Sequence, residues 1–439
     1  MKPRFPSNEG EARQPREANG RAGSPAAFVV ASQRPRRGER RAVASVAPVV
    51  AAPAPRLCVV GLGNIGSQFV DHLARLPGLA HVLLVDRDVY EPANLSAQAV
   101  SARDVGRPKA MVQARRLRQL NPQLQVETFA GDLESLPLGR WRGALVAGCL
   151  DSLHARQALG ERAWRVGSAF LDAGVDPASG LARVTCFLPG PDRPCFACGL
   201  DDRDYAALGA VHPCAGPVPV PATNGSFALG GLAAAWLALE CERLLRGRPD
   251  PSLAGREVLL ETRTGRLLVS RRARNPACRF DHRAWTITPF AGLTIDNSLA
   301  DALRLAGDLV GNHRPFPERL NGKDPGGARL TGKGRMIPRS AEVTFRLPGQ
   351  RLAKALHCPA CGAMVERFQV VDRGGPRTCP HCETGALAVV GFKVVDCVGH
   401  HLPAALLRQP LRRVGFRAGD VLAVESGRRT RYLQIPENR

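Results

Sequence analysis

The chain has 439 residues and a formal charge of +22, from 61 Lys and Arg against 39 Asp and Glu. That length allows two to three domains at the usual ~150 residues each and a sizeable core. No uncharged apolar run reaches the ~18 residues of a membrane span; the longest candidate, GSFALGGLAAAWLALE, stops at Glu240 and reads as a buried helix, so no membrane partner is expected.

The charge is unevenly placed. Residues 1–56 hold eleven Lys or Arg against four Glu, a net of +7, and leave +15 spread over the rest. There the basic residues lie in mixed contexts such as RRLRQ and LLRGR, which suit a solvated surface better than a nucleic-acid face. A nucleic-acid partner is possible but not favoured. The start MKPRFPSNEG has no apolar signal core, so the expected compartment is reducing and cytoplasmic. Thirteen cysteines then call for roles other than disulfides.

Along the chain, residues 1–56 are rich in Arg, Pro, Ala and Gly without apolar periodicity, and read as a disordered leader that ends in the Pro-interrupted linker AVASVAPVVAAPAP. From residue 57 short apolar runs alternate with helical patterns: LCVV, a helix, HVLLVD, a helix near KAMVQARRLRQL, QVETFA, GALVAGCLD, a helix, and SAFLDAGV. This alternation predicts an α/β fold with a doubly wound, Rossmann-like, mainly parallel sheet whose ligands sit at the carboxyl ends of the strands. The stretch from LARVTCFLPG through REVLLETRTGRLLVSRR adds a helix at 225–246 and a hairpin. Residues 57–284 form this first domain in our reading, and 285–439 a smaller strand-rich module.

Between the first strand and helix lies GLGNIG, with Gly61, Gly63 and Gly66 in G-x-G-x-x-G spacing. Asp86 closes the next apolar run, twenty residues past Gly66. This is a nucleotide-binding layout, but it does not choose between NAD and ATP. The order downstream is more selective. RDVYEPANLSAQ carries Asn94 and Gln98, GRPKA places Lys109 at a helix start, and GCLDSLHARQALG leaves Asp151 at a strand end. A dehydrogenase has no use for that set, whereas activation of a carboxylate with ATP needs an acid for the ribose, cations for the phosphates and an acid for magnesium. Taken singly, Asp86 reads as a turn acid, Lys109 as an exposed helix-start lysine and Asp151 as a helix cap.

In this ordered set the sequence resembles the ThiF, MoeB and HesA family, relatives of the ubiquitin-activating enzymes, from about residue 57 to 282. The resemblance implies that Gly61, Gly63 and Gly66 form an ATP loop, that Asp86 holds the ribose, and that Asn94, Gln98 and Lys109 face the phosphates. Asp151 then takes magnesium and the adenylation chemistry. One position departs. The family pattern Asn-Leu-x-Arg-Gln is NLSAQ here, so Ala97 stands where an arginine contacts the triphosphate; Arg87, Arg103 and Arg107 are the nearby cations.

The cysteines fall in two ligand-like sets. PCFAC and NPACRFDH offer Cys195, Cys198, Cys278 and His282, two close pairs suited to a tetrahedral zinc. Family members carry a similar zinc on two C-x-x-C pairs, and His282 is our substitution for the fourth thiolate. HCPACG and TCPHCE place Cys358, Cys361, Cys379 and Cys382 as C-x-x-C, seventeen residues, C-x-x-C, a zinc-ribbon spacing. Cys214, in HPCAGPVPVPATNG, lies where some members of the family carry an acyl-accepting or sulfur-transferring thiol. Cys58, Cys149, Cys186, Cys241 and Cys397 sit in apolar runs and read as small core residues.

The expected protein is therefore an ATP- and magnesium-dependent adenylyltransferase with zinc sites. It would act on the C-terminal carboxylate of a small ubiquitin-like or sulfur-carrier protein ending in Gly-Gly, and family members usually pair, so a homodimer is the default. An NAD(P)-dependent oxidoreductase and a catalytically silent scaffold are the alternatives.

Overall fold

In the computed structural model the described residues are 55–209, 226–246, 251–310, 343–371, 373, 378–383, 387–389, 394–427 and 429–437. Cys214 lies outside them, as does the leader up to residue 54.

Five strands set the parallel part of the main sheet: β1 Arg56–Val60, β2 His81–Val85, β3 Gln125–Phe129, β4 Ala144–Gly148 and β5 Phe170–Asp176. Helices α1 (Asn64–Leu73), α2 (Lys109–Leu120) and α3 (Leu153–Arg165) connect them. β6 (Leu181–Phe187), β7 (Arg256–Glu261) and β8 (Arg266–Arg271) extend the sheet antiparallel, giving the order β3-β2-β1-β4-β5-β6-β7-β8. The short α4 (Asp202–Gly209) and the 19-residue α5 (Phe227–Leu245) lie between β6 and β7 in sequence.

β1 and β4 are fully or almost fully buried, as strands covered on both faces must be. One face packs Leu57, Val59, Phe69, Leu73, Ala233 and Leu237 from the sheet, α1 and α5. The other packs Cys58, Val60, Val146, Trp141, Leu159 and Phe170 under α3. Chain order reverses between β1 and β4, the switch point at which an open parallel sheet leaves a crevice for ligands.

After β8 the chain enters the second module through β9 (Ile287–Pro289) and α6 (Leu299–Val310). β10 (Thr344–Arg346), β11 (Leu352–His357), β12 (Met364–Val370), β13 (Ala388–Val389) and β14 (Val394–Val395) follow. Two single-turn helices, α7 (Ala404–Leu407) and α8 (Leu411–Val414), lead to β15 (Val421–Ser426) and β16 (Arg429–Gln434). One sheet runs β10-β15-β16-β9; the other is β12-β11-β13, with β14 also on β11. Phe290, Leu303, Phe345, Phe368 and Phe416 share the module's core.

The module is keyed into the connection between β3 and β4. Arg142 donates to Gln434 Oε1 (2.5 Å) and the Ile287 carbonyl (3.0 Å), Gln350 Nε2 to the Glu134 carbonyl (2.8 Å), and Gly139 N–H to the Gly419 carbonyl (2.8 Å). Among the described residues no helix is long and apolar enough to cross a membrane.

Candidate functional site

The loop after β1 turns through Gly61 at φ +87°. A Cβ there would lie 2.5 Å from the Cys149 carbonyl oxygen, and one at Gly66 would lie 1.9 Å from the Gly61 carbonyl oxygen. Both glycines are therefore required by close backbone approach, because real Cβ contacts do not reach such distances. A Cβ at Gly63 meets only Gln98 Nε2, at 3.9 Å, so that side of the loop is open. The result is a cradle at the start of α1, where unpaired N–H groups favour an anion.

Asp86, just past β2, is turned back onto the loop. Its Oδ2 accepts from Leu62 N (2.6 Å) and its Oδ1 from Asp88 N (2.8 Å). Burial pushes its pKa up, while those N–H groups and Lys109 pull the other way. Lys109 opens α2, is buried to 8% exposure, and points its Nζ at Asp88 Oδ2 (3.3 Å). Its backbone N–H is tied to the Asp88 carbonyl (2.9 Å). The polar chain Leu62, Asp86, Asp88, Lys109 thus joins the glycine loop to the lysine.

Asn94 sits in a 3-10 turn, Pro92–Ser96, where its Oδ1 caps Glu91 N (2.9 Å). That bond occupies the carbonyl of its amide. Gln98 differs, for its Oε1 is buried without a hydrogen-bond partner. That oxygen calls for a donor, whereas the amide's own donor, Nε2, is the atom nearest the open side of Gly63. Ala97, at 8% exposure, brings no charge to this wall. Arg87 is held by Asp132 (3.0 Å) and lies 3.7 Å from Asp88, and Arg103 and Arg107 are exposed.

Asp151 follows β4 by three residues, on the opposite lip of the crevice, and is exposed. It does not cap α3. Ser152 does so, accepting from Ala155 N at 3.2 Å, which removes the structural reading of Asp151 as a helix cap. Beneath it Asp172 on β5 is fully buried between Arg156 (3.1 Å) and Arg183 (2.8 Å), a paired carboxylate that sequence patterning does not single out.

Both sets of soft donors converge. Cys195, Cys198, Cys278 and His282 place their ligand atoms within 4.8 Å of one another, and so do Cys358, Cys361, Cys379 and Cys382. The Sγ separations are 3.8 and 3.7 Å in the first cluster and 3.6 and 3.7 Å in the second. Tetrahedral thiolates at a Zn–S distance of ~2.3 Å are spaced by about 3.8 Å, so the donor sets fit zinc. His282 adopts φ +54°, unusual for a side chain of its size. Its Nδ1 meets the Phe280 carbonyl at 2.8 Å, which can only accept, so Nδ1 carries the proton. Nε2 is then bare and faces Cys198 Sγ at 3.2 Å, the tautomer a metal ligand needs. The hydrogen bond from Cys195 holds the Cys198 thiol below the ordinary thiol range.

Of the remaining cysteines, Cys58, Cys149, Cys186 and Cys241 are buried, with thiols pushed up by burial, and Cys397 is only half-buried. Cys397 follows β14 by two residues and is not the core residue its apolar run suggests.

The sheet, the glycine cradle, the acid past β2 and the lysine at the start of α2 make a doubly wound α/β domain with these groups at its switch point. Compared with known proteins, residues 52–280 match the ThiF family, and the chain belongs to it. The sulfur carrier protein adenylyltransferase of Thermus thermophilus is 31% identical over 230 residues, covering 50% of this chain and 80% of that one. Sulfur carrier protein ThiS adenylyltransferase of Escherichia coli is 28% identical over 234 residues, 51% and 85% of the two chains. Ubiquitin-like modifier-activating enzyme 5 of Dictyostelium discoideum is 28% identical over 183 residues, 37% of this chain; the match spans only about half of that relative's length, 47%.

Proposed function

We propose that this chain uses ATP to adenylylate the C-terminal carboxylate of a small ubiquitin-like or sulfur-carrier protein ending in Gly-Gly. The observation that carries the reading is the gathering of Gly61, Gly63, Gly66, Asp86, Gln98 and Lys109 at the β1–β4 switch point, with Asp151 on the facing lip. The names of the relatives point the same way.

Asp86 would take the ribose hydroxyls. The N–H groups of the glycine loop, Gln98, Asn94 Nδ2 and Lys109 would orient the triphosphate. Asp151 would hold magnesium, which supplies charge neutralisation at the phosphates. The carrier's carboxylate oxygen bonds to the α-phosphorus as the bond to the β-phosphate bridging oxygen breaks, giving an acyl adenylate and pyrophosphate. Positioning and fixed charge do most of the work in such a displacement. Attack of a thiol on the acyl adenylate then forms a thioester as the acyl–oxygen bond breaks and AMP leaves, with Cys214 the candidate if that thiol is this chain's own, and pairing of two chains completes the proposal. Zinc at the two donor clusters would serve structure, since four protein ligands leave no open position.

The test is exchange of labelled pyrophosphate into ATP with magnesium and candidate carrier proteins. Carrier-dependent exchange supports the reading. Tight ATP binding without exchange for any carrier would favour a silent scaffold, the reading that Ala97 motivates.

A further inference from the structure

We propose that Tyr90 is a positioning residue for the triphosphate, holding the peptide that presents Gly63 N–H to the ligand and carrying the phosphate lysine on its ring. The proposal rests on the ATP reading above.

Tyr90 is 1% exposed and lies between the two loops that flank the site. Its backbone pairs with the loop leading into α2, through Tyr90 N to the Arg107 carbonyl (3.0 Å) and Gly106 N to the Tyr90 carbonyl (2.7 Å). Its hydroxyl donates to the Leu62 carbonyl at 2.9 Å and accepts from Gln113 Nε2 at 2.8 Å. Gln113 is itself fully buried on α2, so its amide fixes which way the hydroxyl proton points. On the ring's face stands Lys109 Nζ, 5.7 Å from the centroid, a cation–π distance.

Leu62 is consequently gripped at both ends, its N–H by Asp86 and its carbonyl by Tyr90. In a planar trans peptide the carbonyl oxygen and the next N–H point in opposite directions. Turning the Leu62 oxygen inward onto Tyr90 therefore turns the Gly63 N–H away from Tyr90. One side chain thereby aims a loop donor and supports Lys109 without touching the nucleotide. In water-exposed loops such a peptide flips readily; here the flip would turn the Gly63 N–H inward and leave the buried Tyr90 hydroxyl proton without its acceptor, which is costly.

The experiment compares wild type, Tyr90→Phe and Gln113→Leu by calorimetric titration with ATP and with adenosine, alongside thermal unfolding. Tyr90→Phe keeps the ring and removes only the hydroxyl. We expect ATP binding to weaken about five- to twenty-fold and adenosine binding to change less than twofold, because adenosine makes no phosphate contacts. Gln113→Leu should weaken ATP in the same direction by less, and stands in if Tyr90→Phe does not fold. Equal ATP affinity in folded variants and wild type overturns the proposal alone. Equal losses for ATP and adenosine would reduce Tyr90 to general support of the fold and also overturn it. Absence of ATP binding by the wild type overturns the ATP reading and this proposal together.

Discussion

Asp151 and Asp86 differ in what surrounds them, and each environment gives a prediction. Asp151 is exposed at the lip of the crevice with α3 capped by its neighbour Ser152, so its side chain is not spent on the helix. Asp151→Ala should leave the thermal midpoint nearly unchanged and lower pyrophosphate exchange about a hundred-fold or more, the usual cost of losing one charge-organising group. Exchange within a factor of three of wild type would remove Asp151 from the mechanism. Asp86 is half-buried, and desolvation outweighs its two N–H donors, raising its carboxyl above the ordinary value. A carbon-13 titration of its carboxyl group should give a midpoint above the ordinary carboxylate value, falling when nucleotide is added if ribose hydroxyls replace lost water. The acids, the glycines and Lys109 could be picked out because a six-residue glycine pattern and strand ends index them. Tyr90 could not, since nothing in DVYEP marks a hydroxyl that will reach a carbonyl 28 residues upstream.

At the scale of elements, β1 to β5 and the helices between them follow from apolar runs alternating with helical periodicity, and even the antiparallel hairpin β7–β8 shows in its TRTG turn. Three-residue strands such as β9 and β10 carry too few residues for any period, and their pairing is set by partners more than seventy positions away. The donor clusters were readable for the opposite reason, since C-x-x-C fixes two ligands locally and only their meeting is long-range. We expect two zinc ions per chain by atomic emission, with His282→Ala lowering the content toward one while the Cys358 cluster stays loaded. Unchanged content in His282→Ala would assign the fourth ligand elsewhere. Within the glycine loop, Gly66→Ala drives a methyl into the Gly61 carbonyl. Such overpacking should cost about 1–3 kcal/mol and abolish nucleotide binding, as read by unfolding and ATP titration.

For the whole molecule, the decisive contacts are those of the second module with residues 129–142. Gly139 is the tightest of them: a Cβ there would lie 2.4 Å from Gln434 Nε2 and 2.5 Å from the Gly419 carbonyl oxygen. Gly139→Val should therefore loosen the seam, raising hydrogen exchange in β15 and β16 while β1 and β4 stay protected. Uniform protection would show that the seam tolerates the branch. The buried pair of Arg373 with Asp420, at 2.6 Å, anchors the same region. Replacing Arg373 with Met would strand a carboxylate and cost roughly 3–5 kcal/mol. No sequence period foretells this seam, because it joins loop residues such as Arg142, Glu134 and Gly419 to strand-end residues Ile287 and Gln434 that are distant in sequence.

The parallel pairing of β9 with β16, sealed by the stack of Trp285 on Tyr432 at 4.1 Å, bears on how the chain acquires its structure during synthesis. Every strand of the eight-stranded sheet has been made once residue 271 is out, whereas Ile287 waits for Tyr432. Contacts so distant in sequence form late. A ribosome stalled after residue 289 and before Tyr432 would present a finished eight-stranded sheet attached to an unpaired strand with Trp285 uncovered. That interval is when a chaperone, or a second nascent chain, has its opportunity to engage this protein.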